Sequence, residues 1–266
     1  MLALGYLLLL HLLVYTAAQN PLSTLQFVAF WFRHGERTPT HYMYFPKEIP
    51  PLIRYTEAEP GELTNRGIQQ AYQRGQFIRT HYDSFLGLVY RPSELIMNNT
   101  QLPYPRWAEP LRANVSLYRN IFHQRMIDAQ SETAGRYHSE MLLSFIEDHL
   151  NRPLMARNKA VFISGHDSNF MALGRQLNIT QIANEMLPFA ALLTVELHVI
   201  NGTNFVELWL SPTLTEELVR VDIPQCPNPC RLETLQNVLK DRRLSKPSWE
   251  AQCLGLEANA YDGIVT

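Results

Sequence analysis

The sequence has almost no surplus charge: 23 Lys and Arg stand against 25 Asp and Glu, a formal net of -2, with no long run of either sign. That balance argues against a nucleic-acid surface or an anionic-membrane surface, so the partner should be small. Long apolar runs are missing beyond residue 18, and the chain ends in Asp262, Gly263, Ile264, Val265 and Thr266, so the mature chain is expected to carry no membrane span. Cysteine is scarce and odd in number: Cys226, Cys230 and Cys253. No cluster of histidines accompanies them. The Cys226/Cys230 pair, with Pro227 and Pro229 between, reads as a structural loop closure by a disulfide rather than as metal or redox chemistry. No metal and no cofactor is expected. What the chain does have is apolar mass, 46% of 266 residues, which suits a globular protein of one large domain or two small ones.

Residues 1–18, MLALGYLLLLHLLVYTAA, are uncharged and leucine-rich and end in small residues, as a signal peptide does before its cleavage site. An uncleaved anchor is the alternative, because the stretch is close to spanning length. His11 and the Thr-Ala-Ala end favour cleavage. Asn98, Asn114, Asn178 and Asn201 each open an N-x-S/T triplet without proline, which in a secreted chain marks surface loops open to glycans. A secreted or lysosomal destination is expected.

The most informative stretch is 25–39, LQFVAFWFRHGERTP. Its apolar half shows no polar alternation after Gln26, so it reads as a strand covered on both faces, as parallel strands in α/β proteins are. It then breaks into Arg33, His34, Gly35, Glu36, Arg37, Thr38 and Pro39. Gly35 offers the backbone a sharp turn and Pro39 stops an immediate helix. Two arginines four residues apart across a tight turn can converge on one tetrahedral oxyanion, with the imidazole between them as candidate nucleophile. In open α/β sheets such a strand end is where ligands bind.

Residues 33–39, R-H-G-E-R-T-P, resemble the signature of the histidine acid phosphatase family, the two-motif branch of the histidine phosphatases. The resemblance implies an α/β fold with a mostly parallel central sheet flanked by helices, a phosphoglycerate-mutase-like core, and a phosphohistidine intermediate on His34. It also implies a later His-Asp motif. That motif follows the apolar run 160–164 as Gly165, His166, Asp167, Ser168 and Asn169, where family members often carry Thr at the position of Ser168. Alone, Asp167 would be read as the N-cap of a helix over 170–177. Strands alternating with helices would open both motifs on the same sheet edge.

Between the motifs, 41–60 reads as a long loop and 63–82 as a helix capped by Thr64, with Ile68, Ala71, Tyr72, Gly75, Phe77, Ile78 and Tyr82 on its core face and its arginines toward solvent. This helix also resembles the family. Two further amphipathic helices are expected at 111–123 and 134–150. Residues 192–200 and 203–210 alternate about Asn201-Gly202, a hairpin signal, with His198 on a strand face. The stretch 92–110 breaks the pattern. In the family a strand there ends in a third phosphate-binding arginine and a helical cap follows; here Asn98, Asn99, Pro103, Pro105 and Pro110 intervene. The chain thus resembles a single 19–266 domain with the cap and the third-arginine strand end missing near 94–107. The resemblance leaves Cys253 without its usual partner.

By this resemblance His34 and Asp167 are catalytic, as nucleophile and general acid, and Arg33, Arg37 and His166 hold the phosphate. Because the acid must start protonated, an acidic optimum is expected. The implied function is hydrolysis of phosphate monoesters, on a small molecule or a phosphoprotein, at reduced rate. The alternatives are a phytase-like phosphatase and a non-catalytic secreted glycoprotein that binds phosphate compounds.

Overall fold

The computed structural model of the chain describes residues 21–38, 59, 61–86 and 112–253. The expected signal segment, the loop 41–60, the break at 92–110 with Asn98, and the side chains of Asn114 and Cys253 lie outside the described residues.

Strand β1 (Leu25–Arg33) is buried along its length except at Gln26 and Phe32, as its unbroken apolar run requires. Helix α1 (Asn65–Leu86) begins where expected: the Gly67 N–H donates to Thr64 Oγ1 at 3.1 Å, the N-cap bond. Its buried stripe is Gly67, Arg74, Ile78 and Tyr82, whereas Ile68 is 39% exposed and Ala71 and Gly75 face solvent. Ile78 and Tyr82 lie on the buried face as expected and Phe77 packs against it, but in the first half of the helix the apolar count missed the face, because Arg74 lies on the buried side.

Helix α2 (Arg112–Asn151) is one helix of 40 residues where two were expected, since no proline interrupts it. Then follow β2 (Ala160–Gly165), α3 (Asp167–Leu177), the single turn α4 (Thr180–Ala183), β3 (Leu192–Ile200) and β4 (Thr203–Ser211). The chain closes with β5 (Val219–Val221), β6 (Cys230–Arg231), α5 (Leu232–Leu239) and α6 (Lys246–Cys253). Asn201 (φ 50°) and Gly202 (φ 77°) make the two-residue hairpin turn between β3 and β4 with the left-handed backbone that such turns need. Cys226 is joined by a disulfide to Cys230, the first residue of β6.

The sheet runs β2-β1-β3-β4-β5, with β6 on β4. The α/β class holds, with a central sheet flanked by helices, but the expectation of a mostly parallel sheet is corrected: among the described strands only β1 and β2 run parallel. The tight hairpin forces β4 to run against β3, and β3 itself enters antiparallel to β1. On one face Val195, Leu197 and Leu208 pack with Leu143 and Ile146 of α2, Phe170 and Leu173 of α3 and Leu235 of α5. On the other, Val28, Phe30 and Leu192 pack with Ile78 and Tyr82 of α1. Each such fully buried side chain stabilises the fold by about 1.5–3 kcal/mol. Among the described residues no helix is long and apolar enough to cross a membrane.

Candidate active site

The two motifs meet because β1 and β2 are adjacent and in parallel register, Arg33 opposite Gly165. The ladder continues one residue further, with the His34 N–H donating to Gly165 O at 3.2 Å. The rings of His34 and His166 therefore stand edge to face, centroids 5.0 Å apart. His34 Nδ1 lies 2.6 Å from its neighbour's carbonyl, Gly35 O. A carbonyl can only accept, so Nδ1 carries the proton and Nε2 the lone pair. Burial lowers the pKa of His34, and the charges of Arg37, His166 and Arg33 add to this against the raising effect of the Gly35 bond.

Arg33 is buried. Its Nη2 pairs with Asp167 Oδ2 at 3.1 Å, its Nη1 donates to Leu187 O, and its guanidinium carbon sits 4.3 Å from the centroid of the Phe189 ring. Asp167 also accepts the Ser168 N–H at 2.9 Å. It occupies the first turn of α3, as the capping expectation allowed, although the N-cap itself is His166. Asn169 Oδ1 accepts the His166 N–H at 2.7 Å, and its amide donates to His138 Nε2 at 2.9 Å. His166 is exposed at the mouth. Arg37 pairs through its backbone with Leu63, and among the described residues its side chain has no hydrogen-bond or ion-pair partner, so its cation remains available to an anion. Arg33, His34, His166 and Asp167 thus meet at the C-terminal ends of β1 and β2, with Arg37 in the loop beyond and its charge felt by His34, and Arg33 also lines a cleft of about 380 Å³ with Glu185, Leu187 and Phe189 among others.

Gly35 serves differently from the expectation. Its φ is not positive, so the turn does not demand glycine; the demand is contact, because a Cβ there would collide with the Gly67 carbonyl, and one on Gly67 with the Glu36 carbonyl. Glu36 then ties the loop to α1, accepting from Thr64 Oγ1 at 3.0 Å and from Arg66 Nη1 at 3.2 Å.

Sequence reasoning missed the far wall. Ala190, at φ 60°, donates its N–H to His34 O at 3.2 Å and accepts from Arg74 Nε at 2.6 Å. Arg74, expected at the surface, is 2% exposed and also reaches Ser211 Oγ at 2.8 Å and Thr213 O at 2.9 Å. Burial lowers its pKa to about 10. Residues 185–190 carry no motif, so nothing in composition marked them.

No family model matches the chain. Among curated proteins it is 37% identical to human testicular acid phosphatase over 114 residues, 42% of this chain and 26% of the relative. It is 46% identical to a venom acid phosphatase of Apis mellifera over 61 residues, 22% of this chain and 16% of the relative. The chain thus spans about a quarter or less of the length of these curated relatives, and such partial coverage fits a shortened member. Among solved structures, the phytase from Citrobacter braakii superposes with a TM-score of 0.52 at 15% identity, covering 83% of this chain and 98% of the other. The chain is thus similar in sequence to acid phosphatases over a limited stretch, and its fold is similar to that of a phytase.

Proposed function

We propose that the chain hydrolyses phosphate monoesters through a phosphohistidine on His34. The observation that carries this reading is the fixed tautomer: the Nδ1–H of His34 is held by Gly35 O, which leaves the Nε2 lone pair for phosphorus. Nε2 forms the new bond to phosphorus as the bond to the ester oxygen breaks, and that oxygen takes the proton of Asp167. Water then attacks phosphorus, the P–N bond breaks, inorganic phosphate leaves, and Asp167 is reprotonated. Arg33, Arg37 and His166 hold the phosphoryl oxygens while charge moves across them.

Rate is expected to be low. The third arginine and the cap have no counterpart in the sequence, and removing one donor to a developing oxyanion costs about a hundredfold to a thousandfold. We take residues 19–266 as a single domain that follows a signal segment at 1–18 into the secretory pathway, with Asn178 and Asn201, both exposed, open to glycans. Hydrolysis of p-nitrophenyl phosphate by the purified chain, with His34→Ala beside it and acid-quench trapping of a phosphoenzyme, tests the reading. Turnover that His34→Ala leaves intact defeats it, and a rate equal to that of full-length relatives defeats the account of the missing block.

A further inference from the structure

On the α1 side of the sheet, at the opposite end of β1 from the phosphate loop, Glu196, His198 and Glu207 bring three metal-binding donor atoms within 4.8 Å of one another. Glu196 and Glu207 stand directly opposite across β3 and β4. Two like charges so placed repel, and here both are shielded from water, with side-chain exposures of 5% and 16%. Among the described residues the only Lys or Arg near them is Arg220, 4.0 Å from Glu207 and half exposed itself.

The cluster is held as a ligand set is held. Thr24 Oγ1 lies 2.9 Å from His198 Nδ1 and its backbone carbonyl accepts the Val199 N–H; when this hydroxyl accepts the Nδ1–H, the Nε2 lone pair faces inward. Tyr82 donates its O–H to Glu196 Oε1, leaving Oε2 toward Nε2 at 2.9 Å. Two ligand atoms on one tetrahedral zinc ion stand about 3.4 Å apart for bonds of about 2.1 Å, so the pair would open by about 0.5 Å to admit the ion. A cavity of about 260 Å³, lined by Glu196, Tyr82, Glu217 and Trp209, opens beside the carboxylate. Trp209 Nε1 is buried with no acceptor, and it lines this cavity. A water on the fourth position of the metal would offer the lone pair it lacks.

We propose that Glu196, His198 and Glu207 form a binding site for a divalent cation of the zinc class. An imidazole beside two carboxylates suits zinc better than calcium or magnesium, which take oxygen ligands alone. The site is separate from catalysis: Glu196 pairs with Val28, five residues before Arg33 and so roughly 17 Å up the strand. Its effect is structural, tying the β3–β4 hairpin to Thr24 and α1.

The test is calorimetric titration of Zn²⁺ into the EDTA-treated protein, with thermal melts alongside. One equivalent should bind and raise Tm, and Glu207→Gln and His198→Gln should each weaken binding about a hundredfold and abolish the Tm shift. His34→Ala/His166→Ala should leave both unchanged. If His198→Gln does not fold, Glu207→Gln, at the rim of the cluster and of unchanged size, decides alone. Absence of saturable binding by the wild type overturns the proposal. So does binding that survives Glu207→Gln, or that is lost with the two phosphate-site histidines.

Discussion

Gly35 and Gly67 touch backbone to backbone, the first residue of the phosphate loop's turn against the first turn of α1, and neither position has room for a methyl group. The contact sets how far His34 and Arg37 stand from the helix. Gly35→Ala and Gly67→Ala should each fold yet lose about a hundredfold in kcat/KM, since a displacement of about 1 Å at a reacting group costs that much. Circular dichroism beside the assay separates displacement from unfolding. Normal rates in either variant would mean that the loop tolerates the shift.

Arg74 is a buried cation whose partners are carbonyls and a hydroxyl, not a carboxylate. Arg74→Met strands those acceptors and frees Ala190 from its left-handed backbone. A loss of about 3 kcal/mol or more in urea unfolding is expected, with activity falling further than stability because Ala190 anchors the His34 carbonyl. Arg74→Lys should rescue little, because an ammonium cannot fork to Ala190 and Ser211 together. Stability within 1 kcal/mol of wild type in the methionine variant would refute this, taking about 1 kcal/mol as the worth of one ordinary hydrogen bond.

The pKa of His34 is lowered chiefly by burial and next, among the lowering causes, by the charge of Arg37. A cation beside the ring disfavours imidazolium, so Arg37→Met should raise the His34 pKa. In the proposed reaction His34 attacks as neutral imidazole, so the acid limb of kcat/KM should lie below pH 6.5 in wild type and move up in Arg37→Met. NMR titration of the ring reads the same shift without turnover. No movement in either readout, or movement downward, would exclude Arg37 from the electrostatics of His34.

His138 lies in the core against Trp31, and burial pushes its pKa from 6.5 down to about 4. The folded chain therefore holds fewer protons than the unfolded chain between those values, and stability falls as pH falls through that window, by up to roughly 3 kcal/mol. His138→Leu should flatten the slope of unfolding free energy with pH from about 6.5 to 4. In wild type, protonated Nε2 would face the Asn169 amide, so acid should also loosen the bond from Asn169 to the His166 backbone. An unchanged slope in the variant would assign the acid sensitivity elsewhere.

Much of the site was legible because its signals are local. The break from Phe32 into Arg33 and His34, the pair His166-Asp167 after a short apolar run, and Asn201-Gly202 between alternating strands each carry their meaning within a few residues. What stayed hidden depends on partners far along the chain. Arg74 looks like any helical arginine until Ala190 and Ser211, more than a hundred residues away, surround it. Phe189 and Leu187 sit in a loop without pattern, and Glu196 and His198 alternate as a solvated face would, yet α1 covers them through Tyr82. Sheet direction was misjudged for the same reason: an apolar strand reports burial, not the sense of its neighbours.

Arg33 opposite Gly165 in the ladder makes the spacing of the two histidines a lattice constant of the sheet, about 4.8 Å between neighbouring strands, and not a product of any loop. Material draped over that edge can be lengthened, exchanged or spliced away without retuning the pair. In the proposed function the chemistry stays with the ladder while what covers it changes.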